Sequence, residues 1–220
     1  MSYILSNPGI VLGLLWEHIL VSGTALLVSA LIALPLGVLI APRQRLAAWV
    51  LGIFGIVYTI PSIALIILLI PLLGLNPRAV ITALILYAQV ILVRNLVTGL
   101  RGVDPVLLEA ARGMGMSAWQ RLLRVQIPLA LPVMLAGLRI AAVVTIAIAT
   151  IGAKFGAGGL GRLLFDGIAQ AGRYDKIWAG ALTVAALALV VNQGLLWLER
   201  AYARRGKAPG VPAGKEYSTV

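Results

Sequence analysis

Cysteine is absent, histidine occurs once among the 220 residues, and acidic side chains are scarce, with 7 Asp and Glu against 18 Lys and Arg. The missing cysteines exclude a disulfide framework, thiolate metal sites and cysteine nucleophiles. The single histidine, His18, has no HExxH partner, and no serine dyad is apparent, so protease chemistry and a metal centre find no support. Only 11% of the residues are charged, 61% are hydrophobic, and the mean hydropathy is +1.02. A soluble domain of this length needs a polar surface that such a composition does not supply. The chain therefore reads as a membrane protein. Its formal net charge of +11 would point to nucleic acid in a soluble protein, but the basic residues lie between apolar runs rather than along one face. Topogenic charge, with no nucleic-acid partner, is the better reading.

A bilayer core of about 30 Å needs roughly 20 apolar residues of helix. Five stretches meet that need, at about 19–41, 46–73, 79–100, 127–153 and 177–198. Residues 1–18 lack basic residues, and Asn7, Pro8 and two glycines break their apolar run, so they read as an external or interfacial lead-in. The expected fold is all-α and polytopic, with a membrane domain over 19–198 and a disordered, cytoplasmic tail over 199–220, where Pro209 and Pro212 fall among glycines.

An odd number of spans puts the termini on opposite faces. Arg43, Arg45, Arg101, Arg112, Arg121, Arg124, Arg200, Arg204, Arg205, Lys207 and Lys215 fall to one face, and only Arg78, Lys154, Arg162, Arg173 and Lys176 to the other. The positive-inside bias predicts an external N-terminus and a cytoplasmic C-terminus in a cell membrane.

No acid lies inside a span: Glu17 and Glu199 sit at edges, and Asp104, Glu109, Asp166, Asp175 and Glu216 in loops or tail. Ion-coupled carriers keep a titratable carboxylate at depth, so this absence counts against that class. Other polar residues do sit at depth. Arg139 either snorkels to the inner face or faces a pathway or an interspan hydrogen-bond network. Pro61 falls near the middle of 46–73, within Tyr58-Thr59-Ile60-Pro61-Ser62. It implies an ordinary kink or a broken helix whose Tyr58, Thr59 and Ser62 line a passage. His18 beside Glu17 reads as an interfacial polar cap. Gly156-Ala157-Gly158-Gly159-Leu160-Gly161 fits G-x-G-x-x-G, but an apolar helix rather than a strand precedes it, so no nucleotide cofactor is expected and the segment reads as a flexible external turn.

The loop at 101–126 carries more order than a linker needs. Asp104-Pro105 is a helix start, Glu109 stands among small residues, Gly113 and Gly115 end the helix, and Ser117 with Gln120 forms a capping-box pattern. Such a short helix, tipped with alanine and glycine and carrying one carboxylate, suits docking into a groove on a partner. Glu109-Ala110-Ala111, then Gly115, then Val125, Ile127 and Pro128 at the required spacing resembles the EAA motif of permease subunits of binding-protein-dependent ABC importers. Val125 at the first aliphatic position is a mild departure.

The likeness runs from about Thr24 to Asn192 and is nearest to the osmoprotectant branch. It is carried by Thr59-Ile60-Pro61-Ser62, Ile70-Pro71-Leu72-Leu73-Gly74, Gly102-Val103-Asp104-Pro105, Arg112-Gly113-Met114-Gly115-Met116 and Ala149-Thr150-Ile151-Gly152. The resemblance implies the five-helix fold of a type I importer permease and a pathway for glycine betaine, choline or carnitine, with an amino acid or a stand-alone channel as alternatives. It also implies that Asp104, Glu109, Ala110, Ala111, Gly113 and Gly115 receive ATP-driven motion on a cytoplasmic coupling helix. Tyr58, Thr59, Pro61, Ser62, Asn95, Arg139 and Thr145 are candidates for the pathway, and Gly156, Gly158, Gly159 and Gly161 for contact with an external solute-binding protein. No Walker A sequence and no catalytic constellation is present, so the chain is not expected to be an enzyme. Its expected partners are separate ATPase subunits, the solute-binding protein, a second permease subunit of the same or another kind, and lipid. Lys154 has no place in this scheme.

Overall fold

The computed structural model describes residues 2–170 and 172–205, and among them every regular element is helical. In chain order these are α1 (Ser2–Ser6), α2 (Pro8–Ile40), α3 (Gln44–Thr59), α4 (Ser62–Leu73), α5 (Pro77–Arg101), α6 (Pro105–Gly113), α7 (Ala118–Arg121), α8 (Ile127–Gly152), α9 (Gly161–Ala169) and α10 (Tyr174–Arg205). α2, α5, the run from α7 through α8, and α10 are each long and apolar enough to cross a bilayer. α3 and α4 make a further span only as a pair, bent by 96° at the break between them.

α5 is the central post, packed against α2 and α8 along most of its length and covered further by α3 and α4. Lipid tails are as apolar as leucine, so helices in a bilayer gain from close packing rather than from hiding from water, and small residues mark the contacts. Gly37 of α2 and Gly137 of α8 are such points: a methyl group there would lie 2.2 Å from Leu96 Cδ2 and 2.4 Å from Asn95 Cβ. Asn95 is thereby packed into the α5–α8 seam, and its amide donates to the Ile91 carbonyl. Most buried hydroxyls and amides find carbonyl partners, as a bilayer demands, whereas His18 Nδ1 and Gln89 Oε1 are buried without one. The hydroxyls of Ser22, Ser29 and Thr145 each return to the carbonyl four residues back, and the Gln89 amide donates to the Ser29 carbonyl across the α2–α5 seam.

Three boundaries differ from expectation. α2 begins at Pro8, not near residue 19, because a proline in the first helical turn loses no hydrogen bond and Val11 and Leu14 bury against Leu160 and Leu163. Most of the expected lead-in is thus helix. α10 runs on to Arg205, so 199–205 continue the helix and are no disordered tail; residues 206–220 lie outside the described residues. The loop expected to end at 126 passes without a break into α8 through a widened π turn, Leu122–Gln126, whose Ile127 N–H reaches back to the Leu122 carbonyl. Pro128, which has no N–H to offer, sits in the first turn of α8 just after it.

Candidate functional site

Beyond the end of α5, α6 stands off the bundle. The Asp104 carboxylate caps it by accepting the Val106 N–H at 2.9 Å, and Pro105 opens its first turn. Asp104, Glu109, Ala110, Gly113 and Gly115 are exposed, whereas Ala111 is 1% exposed and faces inward. Val106, Leu107 and Met114 add exposed apolar surface. Gly115 has open space around it but a φ of +78°, so the left-handed backbone, which a side chain disfavours, is what requires glycine there. The capping box forms in full: Gln120 accepts the Ser117 N–H at 2.8 Å and Ser117 accepts the Gln120 N–H at 3.3 Å. Arg101 donates to the Ala41 carbonyl at 2.8 Å, tying the α5 end to that of α2. A cavity of about 390 Å³ lies between these ends and α6, lined by Val103, Leu108 and Gln126 among others.

At Thr59–Ser62 the helix is broken, not merely kinked. The chain turns by 96°, and the Tyr87 hydroxyl of α5 donates to the Ile60 carbonyl exposed by the break. The Tyr58 and Tyr87 rings meet edge to face, with centroids 5.4 Å apart. Tyr58 remains 42% exposed, and Thr59 and Pro61 are exposed beside it while Ser62 is partly so. Thr145 is elsewhere: it is buried in the core and bonded within its own helix.

Arg139 does not stand free. Its Nε donates to Glu199 at 3.1 Å and its Nη1 to Asn192 at 3.3 Å, both on α10. The charge is thus neutralised in the α8–α10 seam, the interspan network of the two alternatives.

The glycine-rich segment is a packed corner rather than a flexible turn. Gly159 donates its N–H to the Glu17 carboxylate at 2.9 Å, and Leu160 and Gly161 are buried. A methyl group on Gly161 would lie 2.0 Å from the Thr150 carbonyl oxygen. Gly156 and Gly158 keep positive φ and are exposed or partly so. His18, read as an interfacial cap, is 1% exposed, its Nε2 is 3.2 Å from the Ile146 carbonyl, and it lies beneath Gly159. Glu17 and His18 are therefore the corner's anchors. Adjacent polar residues at the edge of an apolar run were the only sign of them in the sequence. Lys154 stands over the Phe165 ring, 5.6 Å from its centroid, a local contact that holds α9 to the end of α8.

Residues 33–205 match the family described as binding-protein-dependent transport system inner membrane component. The chain is 40% identical over 200 residues to the carnitine transport permease protein OpuCD of Listeria monocytogenes, covering 91% of this chain and 90% of the relative. It is 38% identical over 209 residues to the glycine betaine/carnitine/choline transport system permease protein OpuCD of Bacillus subtilis, covering 95% and 91%. To the osmoprotectant import permease protein OsmW of Salmonella typhimurium it is 43% identical over 195 residues, covering 86% and 90%. Among solved structures, a chain of the inward-facing MetNI methionine ABC transporter superposes with a TM-score of 0.80 at 23% identity, over 87% of this chain and 95% of that one.

Proposed function

From the premise that this chain belongs to the family of inner-membrane components of binding-protein-dependent transport systems and has the fold of type I ABC importer permeases, we propose that it forms the translocation pathway for a quaternary-ammonium osmoprotectant such as carnitine, glycine betaine or choline. The relatives named for those solutes cover almost the whole chain, and the observation that carries the mechanism is the capped, exposed α6. It projects beyond the bundle with Glu109 free on its surface, as a piece that must enter another protein's groove requires. In this reading the α6 end is cytoplasmic, with Asp104, Glu109, Ala110, Ala111, Gly113 and Gly115 passing on motion from separate ATPase subunits. The opposite end, with Gly156, Gly158, Gly159 and Gly161, receives a solute-binding protein. Two permease subunits enclose the pathway, and the exposed residues of the α3–α4 break line it.

Motion of α6 reaches the bundle through the unbroken run from α7 into α8 and through the Arg101–Ala41 tie. Affinity resides mainly in the binding protein, because few aromatic rings stand open at depth to surround a quaternary ammonium. The test is uptake of labelled carnitine, glycine betaine, choline, proline and methionine by vesicles holding the permease with its ATPase and binding protein. ATP-dependent entry of at least one quaternary amine is expected. Entry of amino acids alone would reject the osmoprotectant assignment, and failure to co-purify an ATPase in stoichiometric amount would reject the importer itself.

A further inference from the structure

Arg94 of α5 is a charge that neither packing nor the motifs above account for. In the stretch of α5 nearest α6, residues 88–101, the exposed positions are Arg94, Thr98 and Arg101. Residues seven apart in a helix share a face about 10 Å apart along the axis, so Arg94 stands one such step from Arg101 and one from Tyr87. Tyr87, Ile91, Arg94, Thr98 and Arg101 thus form one stripe. At its Tyr87 end the stripe is roofed, because α4 lays Leu65 and Ile66 against Val80, Ala83 and Leu84 and the broken span bonds to Tyr87. Below the break it opens. Arg94 has no hydrogen-bonding or ionic partner among the described residues, unlike Arg139, which is matched by Glu199, and Arg101, which is tied to Ala41. A lone arginine away from a span's end is costly against lipid and is accommodated where it faces water or a ligand. Helical side chains lean toward the N-terminus, the direction in which Tyr87 lies from Arg94, and Tyr87 meets the Tyr58 ring.

We propose that the Arg94 guanidinium and the open Tyr58 ring form a transient site for a zwitterionic quaternary amine in the pathway. The ring face takes the methylated ammonium by cation–π attraction, and the guanidinium takes the carboxylate in a charge-assisted, two-pronged hydrogen bond. This rests on the osmoprotectant reading above and adds a selectivity to it. Carnitine and glycine betaine carry both groups, whereas choline has no carboxylate and is repelled by the arginine. Arg139, paired across the α8–α10 seam, is not available for this role.

Uptake of labelled carnitine, glycine betaine and choline is measured in vesicles with the complete complex, each rate taken relative to wild type. Arg94→Gln should lower carnitine and glycine betaine uptake roughly ten-fold or more while leaving choline unchanged or faster. Arg94→Lys, which keeps charge but not the fork, should fall between. Equal loss for all three substrates, or no loss for any, in a complex that still co-purifies with its ATPase would overturn the site. If Arg94→Gln fails to assemble, Arg94→Lys decides: a carnitine-to-choline ratio equal to wild type refutes the proposal. A wild-type complex that moves none of the three refutes the osmoprotectant reading and the site with it, an outcome distinct from loss of discrimination in the variants alone.

Discussion

At the scale of single residues, the charged side chains divide by whether another helix answers them. Arg139 and Glu199 answer each other, and Arg139→Gln should lower the thermal midpoint of the purified complex without changing which substrates pass. The double variant with Glu199→Gln should lose less than the two single losses added, with a coupling of about 1 kcal/mol, read from the melting midpoints of all four proteins. Glycines divide in the same way. Gly161→Ala brings a methyl group to 2.0 Å from a backbone oxygen, which no rotamer can relieve, so a cost of about 2 kcal/mol and reduced yield of folded protein are expected. Gly113→Ala, at a site with nothing nearby, should leave yield unchanged.

At the scale of elements, α6 is the part whose disruption should separate folding from function. Glu109→Lys reverses the exposed charge and should lower transport and substrate-stimulated ATP hydrolysis while membrane insertion stays normal. Wild-type rates for this variant in reconstituted vesicles would remove the coupling role. Gly115→Leu acts differently from a simple addition of bulk. Its neighbourhood is open, and the cost, about 1 kcal/mol, comes from forcing a branched residue into the left-handed region. Gly115→Asn, which tolerates that region better, should therefore retain more activity than Gly115→Leu in the same uptake measurement.

At the scale of the whole molecule, orientation in the membrane decides what each end can meet. The cysteine-free chain permits single-cysteine labelling with an impermeant reagent. Ala111 is buried at 1% exposure, so Met114, at 72%, is the better probe of the α6 end, and Ile168, at 63%, of the other. In intact cells Ile168→Cys should label and Met114→Cys should not; the reverse pattern would invert the proposed topology and place α6 out of reach of an ATPase.

Local patterns were readable in the linear chain because the forces behind them act within a few residues. A run of apolar side chains long enough to span hydrocarbon, a carboxylate before a proline, and a serine three residues ahead of a glutamine each specify a helix, a cap or a capping box whatever surrounds them. The α6 region, with its family motif, was legible for that reason. Contacts between distant segments were not. Nothing in the spacing tells that Glu17 holds Gly159, that Glu199 answers Arg139, or that Asn95 fills the space above Gly137, because each pairing depends on how tilted helices cross. Pro61 announced an interruption, since its missing N–H frees a carbonyl. The 96° bend, and the Tyr87 hydroxyl that meets the Ile60 carbonyl, came from packing against α5. Composition and periodicity thus determined a helical membrane chain with a short, capped helix at one end. The tertiary structure alone decided which charges are neutralised across a seam, as Arg139 is by Glu199, and which, like the exposed Arg94, are left without a partner among the described residues, because pairing across a bilayer is settled by helix contacts rather than by sequence neighbours.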